Sequence, residues 1–378
     1  MNIIKPPRRI LVICIRRLGD VLLSTALVSA LAKQWPDAPI DFLVNANAAV
    51  TLDGNSDINA VIVQPEHPKF WQVLSLVWRI FRRYDLAVCM VGNDRPYLYA
   101  LMAAPLRVGV VPEGESGSSL KKRVMHHWIP DRFGQMHMVE QYLRVGDLLG
   151  LPVQPSEVVP PRPANESGLD QKLAQGWRGS SYAVVHLSAM YRYKSWTASG
   201  WYELVRALTL RGLHVYLTGG TAEHERVFVK EIAAQFPITD VSDLSGQLTF
   251  PELTPLIERA RVFIGPDTSV THLAAATGAP TIALFGPSHP VTWAPWPRGF
   301  GRTATSPWVK IAPLQHHNNV WIVQGIKSCV PCLQEGCDRK LDSRSECLDE
   351  LPASRVIAVA DQIFASYPHD AFKSKRQI

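Results

Sequence analysis

Apolar runs of strand length alternate with stretches of helical periodicity along most of the chain. In the first part, residues 10–15, 40–44 and 86–91 form mainly apolar runs, and residues 21–34 and 71–83 repeat apolar side chains at three- and four-residue spacing. In the second part, the runs 182–187, 215–218, 262–264 and 281–284 alternate with helical patterns over 201–210, 223–236 and 251–260. Such alternation implies parallel sheets with helices on both faces, an α/β doubly wound architecture. Between the two parts, residues 151–168 read LPVQPSEVVPPRPANESG, proline-rich and without periodicity, as an interdomain linker would. The pattern divides the chain into a first domain over 1–155, a linker over 156–170, a second domain over 171–350 and a C-terminal helix and tail over 351–378. Each domain is expected to bind ligand at the carboxyl ends of its strands, the two facing each other across a cleft.

Two strand-to-helix turns carry candidate chemistry. Residues 265–280 read GPDTSVTHLAAATGAP: a turn bearing a carboxylate and hydroxyls, then a small-residue helix whose N-terminus points back at the turn. That arrangement suits an anion. Asp267 or Thr268 is placed to cap the helix, and His272 follows Thr268 by one turn, so both can face one ligand. The bland alternative is an ordinary capped helix with a core histidine. In the first domain, the strand ending at Ile15 leads through Arg16-Arg17-Leu18-Gly19-Asp20 to a helix expected from Val21. Gly19 suits a tight turn, and Asp20 is either a helix cap or a functional carboxylate at the cleft mouth. These glycines do not form G-x-G-x-x-G, which disfavours a dinucleotide oxidoreductase.

Composition narrows the partners. The chain has 378 residues, 47% of them hydrophobic, and no run approaches the roughly 18–20 apolar residues of a membrane span. Lys5, Arg8 and Arg9 precede residues 10–15, which Arg16 and Arg17 cut short; this reads as a first buried strand rather than a signal peptide, and the expected location is cytoplasmic. A formal net charge of +6 suits an anionic partner, but no nucleic-acid-binding motif accompanies it, so no nucleic acid is expected. Trp71, Trp78 and Phe81 recur at helical spacing and read as packing aromatics rather than a membrane anchor.

At this point the chain resembles a known family. RLGDVLLSTALVSAL near the start and GPDTSVTHLAAATGAPTIALFGPSHP later are similar to the two signature regions of glycosyltransferase family 9, the lipopolysaccharide heptosyltransferases. HLSAMYRYKSW, at 186–196, is similar to that family's loop with Lys-x-Trp, and GGTAEHE, at 219–225, to its glycine-rich turn with a following acid. The cysteine-containing tail resembles that of a heptosyltransferase III-like subset. The resemblance implies a GT-B fold of two Rossmann-like domains, acceptor site in the first and nucleotide-sugar site in the second. It implies inverting transfer of heptose from ADP-L-glycero-D-manno-heptose to a phosphorylated lipid A-core acceptor, by an enzyme peripheral on the inner face of the cytoplasmic membrane.

Carried over by position, Asp20 is the base that deprotonates the acceptor hydroxyl. Arg16 and Arg17 beside it are expected to favour its ionised form, and cleft closure to desolvate it. With no Asp-x-Asp pair to hold a divalent metal, Lys194 is the candidate cation on the leaving diphosphate, helped by the amides around Thr268 and Ser269. The resemblance assigns Glu225 to the ribose hydroxyls and Asp267 and His272 to the sugar–diphosphate portion. The chain departs from the family at Ser269, where many members have glycine, and at Ala189 and Met190, where well-studied members carry threonines. Arg17 and the basic cluster Lys121, Lys122 and Arg123 are candidate contacts for the acceptor's phosphates, or simply solvated charges. Related transferases using another nucleotide sugar, a sugar-nucleotide epimerase and a catalytically silent subunit of the same fold are the competing readings.

Four of the six cysteines fall at Cys329, Cys332, Cys337 and Cys347. The leading C-x2-C is a common half-site for structural zinc; the alternatives are buried free thiols or labile disulfides. No cofactor is expected for catalysis.

Overall fold

The first apolar run becomes β1 (Ile10–Cys14), a strand buried along its whole length because helices cover both of its faces. The computed structural model describes residues 5–114, 117–152, 157–173, 177–302 and 305–366. The chain divides into two units, Met1–Arg162 with Gly299–Pro307, and Pro163–Arg298 with Trp308–Ile378.

In the first unit, β1 is followed by α1 (Leu18–Gln34), β2 (Ile40–Asn45), β3 (Ala60–Gln64), α2 (Phe70–Ile80), β4 (Leu86–Cys89), α3 (Asp94–Ala103), β5 (Leu106–Val111), α4 (Ser118–Val124), β6 (His127–Pro130) and α5 (Met138–Asp147). The six strands order β3-β2-β1-β4-β5-β6, and every pairing is parallel. Strand order reverses between β1 and β4, the place where such sheets open a crevice for ligand. Residues 157–162, assigned to the linker by composition, lie against α1: Val158 is buried, and Thr25 Oγ1 accepts from the Val159 amide at 2.9 Å. The segment Gly299–Pro307 joins this unit through Arg302, whose guanidinium bonds both carboxylate oxygens of Asp147 and reaches Glu140. Nothing in the local pattern announced that return.

The second unit runs α6 (Ser167–Lys172), β7 (Tyr182–His186), α7 (Ala198–Thr209), β8 (His214–Thr218), α8 (Glu223–Ala233), β9 (Val241–Asp243), α9 (Phe250–Glu258), β10 (Val262–Pro266), α10 (Ser269–Thr277), β11 (Thr281–Phe285), α11 (Pro290–Trp293), β12 (Leu314–His317), β13 (Val320–Gln324), α12 (Glu346–Asp349) and α13 (Ala353–Ser366). Its sheet orders β12-β13-β11-β10-β7-β8-β9, with only β12 antiparallel. Without β12 this is the same winding as the first sheet, now reversing between β7 and β10. The C-terminal helix α13 packs its buried Val356, Val359, Ala360 and Ile363 into the core that holds Trp196, Trp201 and Leu204.

One expectation fails in α2. Leu76 and Ile80 bury one side of it against the first unit's core, with Val73 and Val77 half-buried beside them. Trp71, Trp78 and Phe81, read from the sequence as packing aromatics, face outward instead, 64%, 81% and 44% exposed. Helical spacing alone cannot distinguish two adjacent apolar stripes from one, and only the inner stripe meets a core.

Candidate active site

The two strand-to-helix turns singled out in the sequence fall at the reversal points of their sheets. In the first unit, α1 begins at Leu18, earlier than expected, with Arg17 at the N-cap position and no side chain capping it. Asp20 therefore sits in the first helical turn rather than at the cap. It is only 8% exposed. Burial raises its pKa above the usual carboxylate value, against the opposing pull of Arg16, Arg17 and the backbone N–H groups of Arg17 and Asp20. This corrects the expectation that the arginines dominate: desolvation wins in the resting protein. Oδ1 of Asp20 has no hydrogen-bond partner, and Arg16 approaches it only to 3.8 Å. Such a carboxylate is held ready to accept a proton. Tyr142, on α5, is close enough for the Asp20 charge to raise its pKa further after burial and Cys14 have done so, and its hydroxyl is also unpartnered. Nothing in the sequence pointed to Tyr142, because its proximity depends on α5 packing on α1.

The basic cluster separates on inspection. Lys121 is buried, donates to the Gly92 carbonyl at 2.7 Å and pairs with Asp94 at 2.9 Å, so it ties α4 to the loop after β4 and is not a free cation. Lys122 lies over the Trp128 ring at 4.3 Å, while Arg123 and Arg17 are exposed.

In the second unit, three loops converge at the reversal between β7 and β10. Lys194 ends the short 3-10 turn Arg192–Lys194 after β7. It donates from Nζ to Asp267 Oδ2 at 2.6 Å, joining the loop after β7 to the turn after β10. Asp267 is buried; burial pushes its pKa up, but Lys194, His272 and a hydrogen bond from Ser288 more than offset that, and the net shift is downward. It is a fixed anion. Ser288, from the loop after β11, is a site residue to which the sequence gave no role, although GPSHP was part of the family signature.

Asp267 does not cap α10, contrary to one sequence expectation. Thr268 occupies the N-cap position, but its side chain makes no cap hydrogen bond; its hydroxyl lies 3.4 Å from that of Thr271. The first-turn amides of α10, beginning at Ser269, are therefore not capped by a side chain of Thr268, which suits an external acceptor. His272 lies inside that helix, buried, with Nδ1 unpartnered. Burial lowers its pKa to about 4; Asp267 opposes the shift and Lys194 reinforces it. The ring is neutral near pH 7.

Glu225 is half-buried in the first turn of α8, its carboxylate folded against the Gly219-Gly220 turn: a Cβ on Gly220 would lie 2.0 Å from Glu225 Oε2. Glycine there leaves the acid room to fold over the turn; a larger residue would make the Glu225 side chain swing away. Ser188, which follows β7, is buried with an unpartnered hydroxyl. Its neighbour Ala189 is buried and Met190 is exposed.

The Lys194 loop is pinned from behind. Trp196 is buried, stacks edge-on with Trp201 at 4.9 Å between ring centroids, and donates to the Leu351 carbonyl at 2.9 Å. Ser345 donates to the Tyr193 carbonyl at 2.7 Å. The cysteine-rich segment thus holds the loop that presents Lys194. It also abuts the loop carrying Ser288, since a Cβ on Gly286 would lie 3.1 Å from Cys347 Sγ. Cys347 is buried, and its pKa is pushed up to about 12 by burial and then by the nearby Cys332, Cys329 and Cys337. The four thiols are neighbours. Among the described residues, however, no three His, Cys, Asp or Glu side chains are arranged as a metal-ion ligand set.

Comparison with known proteins places these features in a family. The sequence profile of Glycosyltransferase family 9 (heptosyltransferase) matches residues 73–337. The chain is 30% identical over 289 residues to lipopolysaccharide heptosyltransferase 3 of Escherichia coli, covering 74% of this chain and 83% of that protein. A heptosyltransferase 3 from Escherichia coli strain K12 is 27% identical over 368 residues, 95% of this chain and 98% of its own length. An Escherichia coli heptosyltransferase solved with ADP-2-deoxy-2-fluoro heptose shares the fold at a TM-score of 0.67 and 18% identity, over 94% of this chain and 99% of that one. Residues 73–337 span more than half of the sequence, and the chain belongs to glycosyltransferase family 9, the heptosyltransferases, as a glycosyltransferase of GT-B fold.

Proposed function

We propose that this chain transfers heptose, with inversion, from an ADP-activated heptose to a lipopolysaccharide core. The observation that carries the reading is the set Lys194, Asp267, Ser288 and neutral His272 gathered at the reversal point of the second sheet. Lys194 meets the diphosphate and neutralises the charge that develops as it leaves, assisted by the first-turn amides of α10 at Ser269. Asp267 fixes the lysine until donor arrives. Glu225 receives the ribose hydroxyls, and Thr268 and His272 border the sugar. In the first unit, Asp20 takes the proton of the attacking acceptor hydroxyl as the new glycosidic bond forms and the bond to the diphosphate breaks. Its burial makes it a stronger base than a solvated carboxylate.

Arg17 and Arg123 lie at the surface, where they can meet the acceptor's phosphates, whereas half-buried Lys122 pairs with Glu113 and lies over Trp128. Among the described residues no helix is long and apolar enough to cross a membrane; work on a lipid-anchored acceptor calls for peripheral attachment to the cytoplasmic face of the inner membrane. The cysteine cluster has a structural part in this reading. Its segment backs the donor loops through Ser345 and buried Cys347, while Cys329 and Cys337 are exposed; the thiols are either reduced or closed on zinc, whose tetrahedral thiolate set would leave no position for substrate. Elemental analysis of protein purified without chelator decides between the two.

Transfer assays with ADP-heptose and a purified core acceptor, with and without EDTA, test the function. Product formation unaffected by EDTA is the expected result. A thermal-shift panel of ADP, UDP, GDP and TDP names the donor class, since stabilisation tracks affinity for the folded state. Preferential stabilisation by UDP, GDP or TDP would overturn the donor assignment, and donor binding without turnover would indicate a silent subunit.

A further inference from the structure

The outward stripe of α2 has no counterpart in the chemistry above. Phe70, Trp71, Leu74 and Trp78 are 74%, 64%, 51% and 81% exposed, and Phe81, immediately after the helix, is 44% exposed. At 3.6 residues per turn these five positions fall within one arc of about 100°. They form a continuous apolar strip beside the stripe that Leu76 and Ile80 bury in the core. Isolated exposed apolar residues are ordinary; five large ones aligned on one helix are not.

The charges around the strip choose its occupant. Lys69, Arg79, Arg82 and Arg83 flank it, all exposed, and residues 70–80 contain no acidic side chain. Lys69 stands over the Trp71 ring at 5.3 Å and Arg82 over Phe81 at 5.5 Å, so two of the cations are carried on the aromatic strip itself. Nearby Asp85 is occupied by the backbone amides of Arg8 and Arg9. Aromatic and leucine side chains bordered by lysine and arginine match the boundary between acyl chains and anionic headgroups, where ring and cation are both satisfied.

We infer that α2 is the membrane-docking element of this protein, laying Phe70, Trp71, Leu74, Trp78 and Phe81 into an anionic lipid surface. The inference deepens the proposed function and rests on it to the extent that a lipid-anchored acceptor requires the enzyme at a bilayer.

Co-sedimentation of the full chain with phosphatidylglycerol-containing vesicles, against pure phosphatidylcholine vesicles, tests it. Wild-type protein should bind the anionic vesicles at least about tenfold more tightly, and less so at high salt. Trp71→Ser with Trp78→Ser, and separately Arg79→Gln with Arg82→Gln, should each weaken that binding about tenfold or more with an unchanged thermal midpoint. No wild-type binding to anionic vesicles, or variants that bind like wild type, would overturn the inference. So would a wild-type dimer that the tryptophan variant converts to monomer, since the strip would then belong to a second copy. Transfer to a deacylated, water-soluble core acceptor keeps the two readings apart. Retained transfer in the variants with lost vesicle binding supports docking through α2, whereas wild-type vesicle binding with no transfer to that acceptor would defeat the functional reading alone.

Discussion

Lys194 donates to Asp267 across 2.6 Å, joining the loop after β7 to the turn after β10. The ion pair orients the lysine and keeps a buried carboxylate satisfied, which is the preorganisation that the proposed diphosphate site calls for. On the proposed assignment, Lys194→Ala removes a charged hydrogen-bond donor from the diphosphate, an interaction worth about 1.5–3 kcal/mol. ADP and ADP-heptose should bind about 10–100-fold more weakly by calorimetry, with adenosine unchanged. Equal weakening of adenosine would mean that the loop had collapsed rather than lost a phosphate contact.

For Asp20, replacement by asparagine should cut turnover by about 10²–10⁴-fold and leave donor affinity alone, the usual share of a general base. Because burial raises the pKa of this carboxylate, its charged form is disfavoured by folding. The asparagine variant should therefore melt no lower than wild type near neutral pH. The acid limb of the wild-type kcat/KM profile should lie above the ordinary aspartate value of about 3.9. Near-normal turnover of the variant would reduce Asp20 to a helix-terminus acid.

His186 and His272 predict an acid-labile second unit. Burial holds both near a pKa of about 4 in the folded state, with Lys194 adding to the shift at His272 and Asp267 opposing it. In the unfolded chain they titrate near 6.5, so between about pH 6.5 and 4 the unfolded state binds the extra protons and stability falls as pH falls. Each contributes on the order of 3 kcal/mol by pH 4. Melting temperature measured from pH 7.5 to 4.5 should drop, and His272→Gln should flatten part of the slope. A flat profile would show that the rings are charged in the folded protein.

Trp196→Phe tests whether the C-terminal segment positions the donor loop. It keeps most of the ring in the core but deletes the hydrogen bond to the Leu351 carbonyl. Stability should fall by about 1 kcal/mol, and the KM for donor should rise with little change in kcat. Loss of stability with an unchanged donor KM would confine Trp196 to the core.

The repeated winding and the two candidate turns were legible in the sequence for a simple reason. Buried parallel strands must be apolar throughout, and ligand sites in such sheets must follow strand ends, so residues 10–20 and 262–272 showed themselves locally. Strands β3, β5, β6, β9, β12 and β13 were not read from the sequence; β6, β9 and β12 lack a continuous apolar run, while β3, β5 and β13 are mainly apolar runs of five or six residues that periodicity alone does not tell from other short buried segments. What the sequence could not weigh was environment. Asp20 read as a carboxylate kept ionised by two arginines, but the packing around α1 removes water from it, and desolvation outweighs both guanidinium groups. Lys121 read as a surface cation until the Gly92 carbonyl and Asp94 closed around it. Trp71 and Trp78 read as core, yet the core ends at the stripe of Leu76 and Ile80. Ser288 reaches Asp267, and the Leu351 carbonyl reaches Trp196, from distant segments, through contacts that no periodicity encodes. Local pattern determines which elements form and where their turns lie; burial, and the charges brought together by burial, are sums over the whole packed unit, and only the tertiary structure performs them.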